Sequence, residues 1–240
     1  MRRKDRFSPD LFDSFEQRLA NRPGRGLFVT FDGPNGVGKS SVITRVASSL
    51  RRYGFPVTRT REPTASPLGR LVRAAESRYP GTVLACLVAA DRYFHVERLV
   101  LPALNEGNIV LSDRYVESSL VLQCFDGVTR DFVWALNSNV LRPDLSIIIT
   151  ATPSTIEGRL AGRSRYSRFE RSMTRDQEVQ SYGQAAGFLQ QAGFNVLVVE
   201  NDGTPLAEIV AKVTQQILGL LRKGPKSVVF AKEEALRVHA

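Results

Sequence analysis

The sequence predicts an α/β fold in which five parallel strands form a doubly wound sheet within one domain. Short apolar runs rich in Val and Ile recur along the chain, and stretches with helical spacing separate them. Strands that are apolar throughout are typical of a parallel sheet covered on both faces. Polar and glycine-containing motifs follow three of these runs, at the strand ends where ligands bind in such folds.

Each predicted element has a simple signature. Pro153 opens one helix, Arg142-Pro143 closes another, and apolar residues at Val42, Val46 and Leu50 have the spacing of a buried helix face. The predicted strands are LFVTF (27–31), PVTRTR (56–61), NIVLSDR (108–114), DLSIIIT (144–150) and NVLVVE (195–200). The predicted helices are 39–53, 67–78, 82–105, 129–141, the segment that begins at Pro153, 172–192 and 204–222.

The chain of 240 residues, 42% of them hydrophobic, is long enough for one core of ordinary size with a lid or tails. We expect a basic helical extension at 1–26, with an amphipathic helix at 8–21, a central domain at 27–222, and a basic tail at 223–240. The net charge is +9, and residues 1–26 and 222–240 carry most of it. Because no aromatic platform or reading motif accompanies these charges, nucleic-acid binding is not expected.

Composition also limits the cellular setting. No apolar run reaches the ~18 residues of a membrane span, and the basic N-terminus lacks the apolar segment of a secretory signal. Cys86 and Cys124 lie in apolar contexts, and we expect both to be reduced and buried. These features predict a cytoplasmic protein that does not enter a membrane.

The stretch GPNGVGKS (33–40) fits the pattern G-x-x-x-x-G-K-[ST] between a predicted strand and a predicted helix, which is the context of a phosphate-binding loop. Its glycines let backbone N–H groups surround an anion, and the following helix adds its dipole. Lys39 is expected to reach the β- and γ-phosphates, and Ser40 to ligate Mg²⁺. The predicted ATP-binding loop comprises Gly33, Pro34, Asn35, Gly36, Val37, Gly38, Lys39, Ser40 and Ser41.

The loop alone indicates a P-loop NTPase and leaves the reaction open. A GTPase is expected to carry N-K-x-D late in the chain, and the most similar stretch, ENDG (200–203), lacks the lysine. A motor or AAA-type ATPase would need a longer chain and a strand ending in Asp-Glu, whereas the third predicted strand ends in LSDRY. These two classes are therefore disfavoured.

Further motifs occur in a specific order: TREPT (60–64), PLG (67–69), AADRYFH (89–95), DRYVESS (113–119), RPDL (142–145) and RLAGRSRYSRFE (159–170). With the glycine loop, this set resembles the thymidylate kinases over residues 27 to 220. The resemblance implies a five-stranded sheet of the P-loop NTPase type with a small mobile lid at about 159–171. It also implies ATP-dependent, Mg²⁺-requiring phosphorylation of dTMP to dTDP by a homodimer.

The same resemblance assigns roles to individual residues. Arg61 would face the phosphate of the acceptor, Arg92 its base or phosphate, and Arg114 would bridge the donor and acceptor phosphates. Asp113 would lie near Mg²⁺ and its waters, with Ser40. Ser118, Gln123, Val88 and Asn35 would surround the acceptor nucleoside. The lid residues Arg159, Arg163 and Arg168 match the bacterial type, in which the lid and not the loop supplies arginine. The implied catalytic residues are Lys39, Arg114, Arg163 and Arg168, and Arg159 would contact ATP.

Two departures from the family pattern concern the acceptor site: Asn35 replaces a common acidic residue, and Val88 replaces a phenylalanine that stacks on the base. In addition, REPTAS (61–66) replaces a turn richer in glycine, and Leu122 stands where an aromatic residue often lies. Two alternatives therefore stay open: a P-loop kinase of another nucleotide or small acceptor, and a non-catalytic nucleotide-binding homologue. His95 is expected to serve packing and not catalysis.

Overall fold

The protein is described by a computed structural model that covers residues 26–162 and 166–222. The helix predicted at 8–21, the tail at 223–240 and Arg163 lie outside these residues. The five strands form one parallel sheet in the order β2-β3-β1-β4-β5, so the predicted fold class is confirmed. Each strand lies within one residue of its predicted bounds: β1 is Leu27–Asp32, β2 Val57–Arg61, β3 Ile109–Asp113, β4 Leu145–Thr150 and β5 Val196–Glu200.

The register of the sheet brings the sequence motifs to one edge. Phe31 of β1 and Arg61 of β2 both pair with Asp113 at the end of β3. All neighbouring strands are parallel, so their carboxyl ends lie side by side. The glycine loop after β1, the motif REP after β2 and the motif DRY after β3 therefore meet at the crevice where ligands bind in open α/β sheets.

Ten α-helices connect and cover the strands of the described chain. In chain order they are α1 Lys39–Arg52, α2 Pro67–Ala75, α3 Thr82–His95, α4 Leu101–Asn105, α5 Val116–Phe125, α6 Arg130–Leu136, α7 Pro153–Leu160, α8 Arg168–Ser172, α9 Arg175–Gln191 and α10 Leu206–Arg222. Of these, the end of α7 and most of α8 lie within the predicted lid at about 159–171.

The helix predicted at 82–105 is interrupted by one π-helical turn at Val96–Val100. Pro102 has no backbone N–H and its ring would collide with the carbonyl four residues earlier. In the wider turn before it, the N–H of Leu101 donates to the carbonyl of Val96, five residues back. The predicted bounds 82–105 match the start of α3 and the end of α4, and the π-helical turn between these helices was not predicted.

The core has two halves, one on each face of the sheet. On one face, Val42, Val46 and Leu50 of α1 pack with α10 against β1 and β4. On the other face, α3, α5 and α9 cover Phe28 and Val110. Both faces of the central strands are thus closed, which explains why β1 and β4 are buried along almost their whole length, whereas the edge strands β2 and β5 are partly exposed.

No helix within the described residues is long and apolar enough to cross a membrane. Both cysteines are free, but the expectation that both are buried is wrong: Cys86 is exposed and Cys124 is half-buried. Cys86 lies on α3, and the apolar residues beside it, Leu84 and Ala85, take the buried positions of that helix.

Candidate active site

Two glycines give the loop between β1 and α1 its shape. Gly33 has φ 135°, and a Cβ there would lie 2.0 Å from the carbonyl oxygen of Ile149. Gly38 precedes α1 with φ 100°, a conformation that side chains disfavour. The sequence motif thus forms a turn that lies close to β4 and ends at the N-terminus of a helix of 14 residues.

The ammonium group of Lys39 lies inside this loop. Its Nζ donates hydrogen bonds of 2.7 Å and 2.8 Å to the carbonyl oxygens of Gly33 and Pro34. The side chain is buried, and burial followed by the nearby charge of Arg114 lowers the pKa of Lys39 to about 8. A phosphate bound in the loop would favour the protonated form and reverse this shift.

Two oxygen ligands suited to a hard cation lie at the mouth of the loop. Ser40 Oγ donates to Asp113 Oδ2 at 3.1 Å, and both side chains line the adjacent cavity. In the described chain, no group of three or more His, Cys, Asp or Glu residues forms a metal site. A hydroxyl and a carboxylate, completed by phosphate oxygens and water, are nevertheless a donor set that fits Mg²⁺.

A cavity of about 420 Å³ opens over the loop, and we call it the donor cavity. Arg159 closes one side: its Nη1 donates to the carbonyl of Val37 at 3.1 Å, and its Nη2 to that of Asn201 at 2.8 Å. The lining residues are Asn35, Gly36, Gly38, Lys39, Ser40, Ser41, Arg61, Glu62, Pro63, Arg73, Asp113, Arg114 and Arg159. Seven of them are cationic or hydroxyl-bearing residues suited to a polyphosphate.

Arg73 was not singled out from the sequence. Its Nη1 donates to the carbonyl of Pro63 at 2.8 Å and its Nη2 to that of Thr64 at 2.7 Å. It therefore fixes the REP turn that carries Arg61 into the donor cavity. Arg70, the other arginine of α2, also binds this segment through the carbonyl of Ala65 at 2.9 Å, and the sequence of α2 did not indicate either contact.

Arg114 lies at the centre of the site. It has φ 77°, the one positive φ at a non-glycine position in the described residues, and its N–H donates to the carbonyl of Phe31 at 2.8 Å. Its Nη2 donates to Asn35 Oδ1 at 2.5 Å, and its Nη1 to Ser118 Oγ at 3.1 Å. An unusual backbone conformation here aims the guanidinium across the front of the glycine loop.

Asp32, at the end of β1, accepts hydrogen bonds from several groups near Arg114. It is fully buried, and its carboxylate accepts from Ser118 Oγ and Tyr182 Oη, both at 2.8 Å, and from the N–H of Gly33 at 2.9 Å. Ser118 was predicted to surround the nucleoside, and the structure shows its hydroxyl bound to Asp32. Tyr182 comes from α9, 150 residues away in the chain, so sequence proximity gave no hint of it.

Glu178 of α9 connects the glycine loop to Arg175 at the start of the same helix. Its Oε1 accepts from the N–H of Asn35 at 3.0 Å, and its Oε2 accepts from Arg175 Nη1 at 2.6 Å. Both charged side chains are buried. Neither residue was expected from the sequence, because an i,i+3 pair on a helix usually lies on a solvated face.

A second, more apolar pocket of about 150 Å³ adjoins the donor cavity, and we call it the acceptor pocket. The two share four lining residues: Asn35, Glu62, Pro63 and Arg114. The predicted residues Val88, Arg92, Ser118 and Gln123 also line it, together with Val72, Glu76, Leu84, Asp91, Tyr115, Ser119, Leu122, Ser167, Phe169 and Glu170. A ligand in this pocket would therefore meet a nucleotide in the donor cavity at Arg114.

Arg92 lines the acceptor pocket. Its guanidinium is bound through Nε to Glu62 at 2.9 Å, through Nη1 to Asn137 at 2.6 Å and through Nη2 to the carbonyl of Tyr115 at 2.9 Å. Glu62 also contacts His95 Nδ1 at 3.0 Å. His95 is buried, and with Arg92 it holds the floor of the pocket.

Arg168 lies on the acceptor side of the lid. Its Nη1 and Nη2 donate to the two carboxylate oxygens of Asp126 at 2.6 Å and 2.5 Å. Its backbone N–H donates to Glu76 Oε1 at 3.0 Å. Among the lid arginines expected from the sequence, Arg159 thus lines the donor cavity, Arg168 binds an acidic residue beside the acceptor pocket, and Arg163 lies outside the described residues.

The sequence of the chain matches the family model described as Thymidylate kinase over residues 31–202. That span begins at the end of β1 and ends beyond Asn201, so it includes the donor cavity and the acceptor pocket. The chain belongs to the thymidylate kinase family. Curated members of the family align over much of its length.

The archaeon Pyrococcus abyssi has a probable thymidylate kinase that is 32% identical over 209 residues, which cover 82% of this chain and all of the relative. The thymidylate kinase of Leifsonia xyli subsp. xyli is 35% identical over 210 residues, or 83% of this chain and 97% of the relative. The probable thymidylate kinase of Caldivirga maquilingensis is 41% identical over 150 residues, or 61% and 73%.

Proposed function

We propose that this member of the thymidylate kinase family transfers the γ-phosphate of ATP to dTMP, giving dTDP and ADP. The observation that carries the proposal is the junction of the donor cavity and the acceptor pocket at Asn35, Glu62, Pro63 and Arg114. A phosphate-binding loop alone would fit any nucleoside triphosphatase. A second, partly apolar pocket beside it supports a second substrate with an apolar part and an anionic part.

The arrangement supports direct transfer between two bound nucleotides. An oxygen of the acceptor phosphate forms a bond to the γ-phosphorus while the bond to the β,γ-bridging oxygen breaks, and ADP leaves. Lys39 would neutralise charge on the β- and γ-phosphates, and Arg114 would contact donor and acceptor phosphates together. Arg61 would hold the acceptor phosphate. Such a reaction depends on position and charge more than on covalent catalysis.

Mg²⁺ belongs to the proposal as the cofactor that accompanies ATP. Ser40 would hold it directly, and Asp113 would hold it directly or through its waters. When bound, the cation supplies charge neutralisation and orientation of the phosphate oxygens. The hydrogen bond between Ser40 Oγ and Asp113 Oδ2 keeps both oxygens at the mouth of the loop.

Size and polarity of the acceptor pocket favour a pyrimidine base. Its volume of about 150 Å³ is small, and Val72, Leu84, Val88 and Leu122 form one end. The buried amide of Gln123 also lines the pocket and can hydrogen-bond the edge of a base.

The proposal also includes the lid arginines, a homodimer and a cytoplasmic location. Arg159 would contact ATP, Arg163 would join the donor phosphates when the lid closes, and Arg168 would act from the acceptor side. A homodimer formed through helices follows the family resemblance. A cytoplasmic location is consistent with nucleotide substrates and with two free cysteines.

The direct test is product formation by the purified protein. With ATP, Mg²⁺ and dTMP, chromatography should show dTDP and ADP in equal amounts. Lys39→Ala should abolish both products, whereas Lys212→Ala, at an exposed position of α10, should not change the rate. ADP without dTDP would indicate an ATPase, and turnover in Lys39→Ala equal to the parent would contradict the assignment of the loop.

A further inference from the structure

The apolar end of the acceptor pocket is closed by a residue of the lid. Phe169 of α8 is only 6% exposed and packs against Val72, Ala75 and Leu84. Val88 and Leu122 pack against the same cluster. The ring thus comes from the segment after Ser167, yet it forms part of the wall that a bound base would touch.

Phe169 is one of two aromatic residues among the described walls of this pocket, and the other is already engaged. Tyr115 is fully buried, packs edge-on against Phe28 at 5.1 Å and donates its hydroxyl to the carbonyl of Leu141 at 2.8 Å. The aliphatic side chains beside Phe169 offer no flat surface to a planar base. An aromatic ring does, and such stacking adds to simple burial of area.

We propose that Phe169 supplies the flat face on which the base of the acceptor nucleotide stacks. This specificity role deepens the proposed function and rests on it. The stacking ring then belongs to α8. The family pattern places such a ring on α3, at the position of Val88 in this chain.

Several contacts hold the ring in this position. Ser167 and Glu170 form a capping box that starts α8 directly before Phe169. The guanidinium of Arg168, bound to Asp126, lies over one face of the Phe169 ring, 4.2 Å from its centre, so the base would stack on the opposite face. A short helix capped at its start and anchored by an ion pair presents its aromatic residue in one place, which a stacking platform requires.

Val88 packs against the same apolar cluster as Phe169. A phenylalanine at that position would add a second ring to space that Phe169 already fills, because both residues belong to one cluster. Val88→Phe in the parent protein should therefore weaken dTMP binding. In a variant without the Phe169 ring, the same change should restore a stacking face. Overpacking and its relief by a second substitution are the expected signs of shared space.

The test measures steady-state constants for dTMP and for ATP in one set of variants. Phe169→Leu, which keeps an apolar side chain of similar size, should raise KM for dTMP roughly 2- to 12-fold and leave KM for ATP unchanged. Phe169→Tyr, which keeps the ring, should stay within about twofold of the parent. Phe132→Leu, at an exposed position of α6, is the matched control and should change nothing.

The double variant Val88→Phe/Phe169→Leu should have a lower KM for dTMP than Phe169→Leu alone. Thermal unfolding of each variant separates loss of the platform from loss of the fold, since only the latter would lower kcat and both affinities together. An unchanged KM for dTMP in Phe169→Leu would overturn the inference. A lowered KM would also overturn it, because it would show that the ring occupies the place of the base. A parent protein that makes no dTDP would instead refute the proposed function.

Discussion

Arg114 Nη2 and Asn35 Oδ1 are joined by a hydrogen bond of 2.5 Å that links the end of β3 to the glycine loop. Asn35 is held from its other side, because its backbone N–H donates to Glu178. The amide oxygen therefore fixes the guanidinium at the junction of the two cavities. A residue that departs from the family pattern has a positioning role that a carboxylate could share.

Asn35→Ala should lower kcat roughly tenfold, because Arg114 loses the acceptor that orients it and hydrogen bonds to charged groups are worth about 1.5–3 kcal/mol. Asn35→Asp keeps an acceptor oxygen and should stay within a few-fold of the parent. Steady-state kinetics with saturating ATP would measure both. Equal rates in the parent and in Asn35→Ala would show that the bond does not position Arg114.

The pH dependence of ATP affinity should report on Lys39. Its pKa is lowered to about 8 in the free protein, mainly by burial. Bound phosphate requires the ammonium form, so the Kd for ATP should rise by up to about tenfold per pH unit above pH 8. Calorimetric titration between pH 7 and pH 9.5 would measure this. Lys39→Met should bind weakly with no such slope, and the same slope in that variant would assign the proton elsewhere.

Stability should change with pH in the same region. Because the pKa of Lys39 is lower in the folded chain than in the unfolded chain, the unfolded chain binds more protons between about pH 8 and 10.5. The contribution of this group to the free energy of unfolding therefore rises with pH across that window. Lys39→Met should be more stable than the parent at pH 7, and denaturant unfolding should show the gap narrowing by pH 10. A gap that stays constant would contradict the shifted pKa.

The ion pair between Arg168 and Asp126 should behave as one unit. If Arg168 acts by holding the lid helix over the acceptor pocket, Arg168→Ala and Asp126→Asn should each raise KM for dTMP, and the double variant should be little worse than either. A coupling of about 1–3 kcal/mol is expected. Asp131→Asn, at an exposed position of α6, is the control.

The alternative role of Arg168 gives a different pattern. If its guanidinium contacts the transferring phosphate in the closed state, Arg168→Ala should lower kcat strongly, and Asp126→Asn should leave kcat unchanged or raise it by freeing the arginine. Comparison of kcat and KM in the two single variants therefore distinguishes a lid anchor from a residue of the chemical step.

Glu178→Ala should destabilise the protein by about 3–5 kcal/mol, because it leaves the buried charge of Arg175 without its carboxylate. It should also raise KM for dTMP, since the N–H of Asn35 loses its acceptor. Glu178→Gln keeps an acceptor oxygen and should be milder in both respects. Chemical denaturation and kinetics would measure the two effects. Unchanged stability of Glu178→Ala would contradict the account of this pair.

The strands and the glycine loop were predictable because their signals are local. Apolar runs located four of the five strands within one residue, and β2, the alternating segment VTRTR, was predicted equally well. The spacing of the loop residues predicted the turn that Gly33 and Gly38 form. Helix α5 was not predicted as a helix. It is buried on most sides, with Glu117, Ser118 and Gln123 among its buried residues, so it lacks the apolar stripe that predicts a surface helix.

The contacts that shape the site were less predictable, because they join residues far apart in the chain. Nothing near Asp32 in the sequence indicates that Tyr182 binds it, and nothing near Phe169 indicates that its ring lies beside Val88. The resemblance placed Arg92 in the acceptor site, and the structure adds that Glu62, Asn137 and Tyr115 already bind its guanidinium. Sequence patterns identify the chemistry of such residues, and packing decides which of their atoms have partners.

Acceptor specificity distinguishes a dTMP kinase from a kinase of another nucleotide. ADP release can be followed with ATP, Mg²⁺ and each of dTMP, dCMP, dAMP, dGMP and UMP, and kcat/KM compared across the set. The account predicts the highest kcat/KM for dTMP and low values for the purine nucleotides, because the pocket is small and apolar at the base end. Turnover of another acceptor with no turnover of dTMP would contradict it.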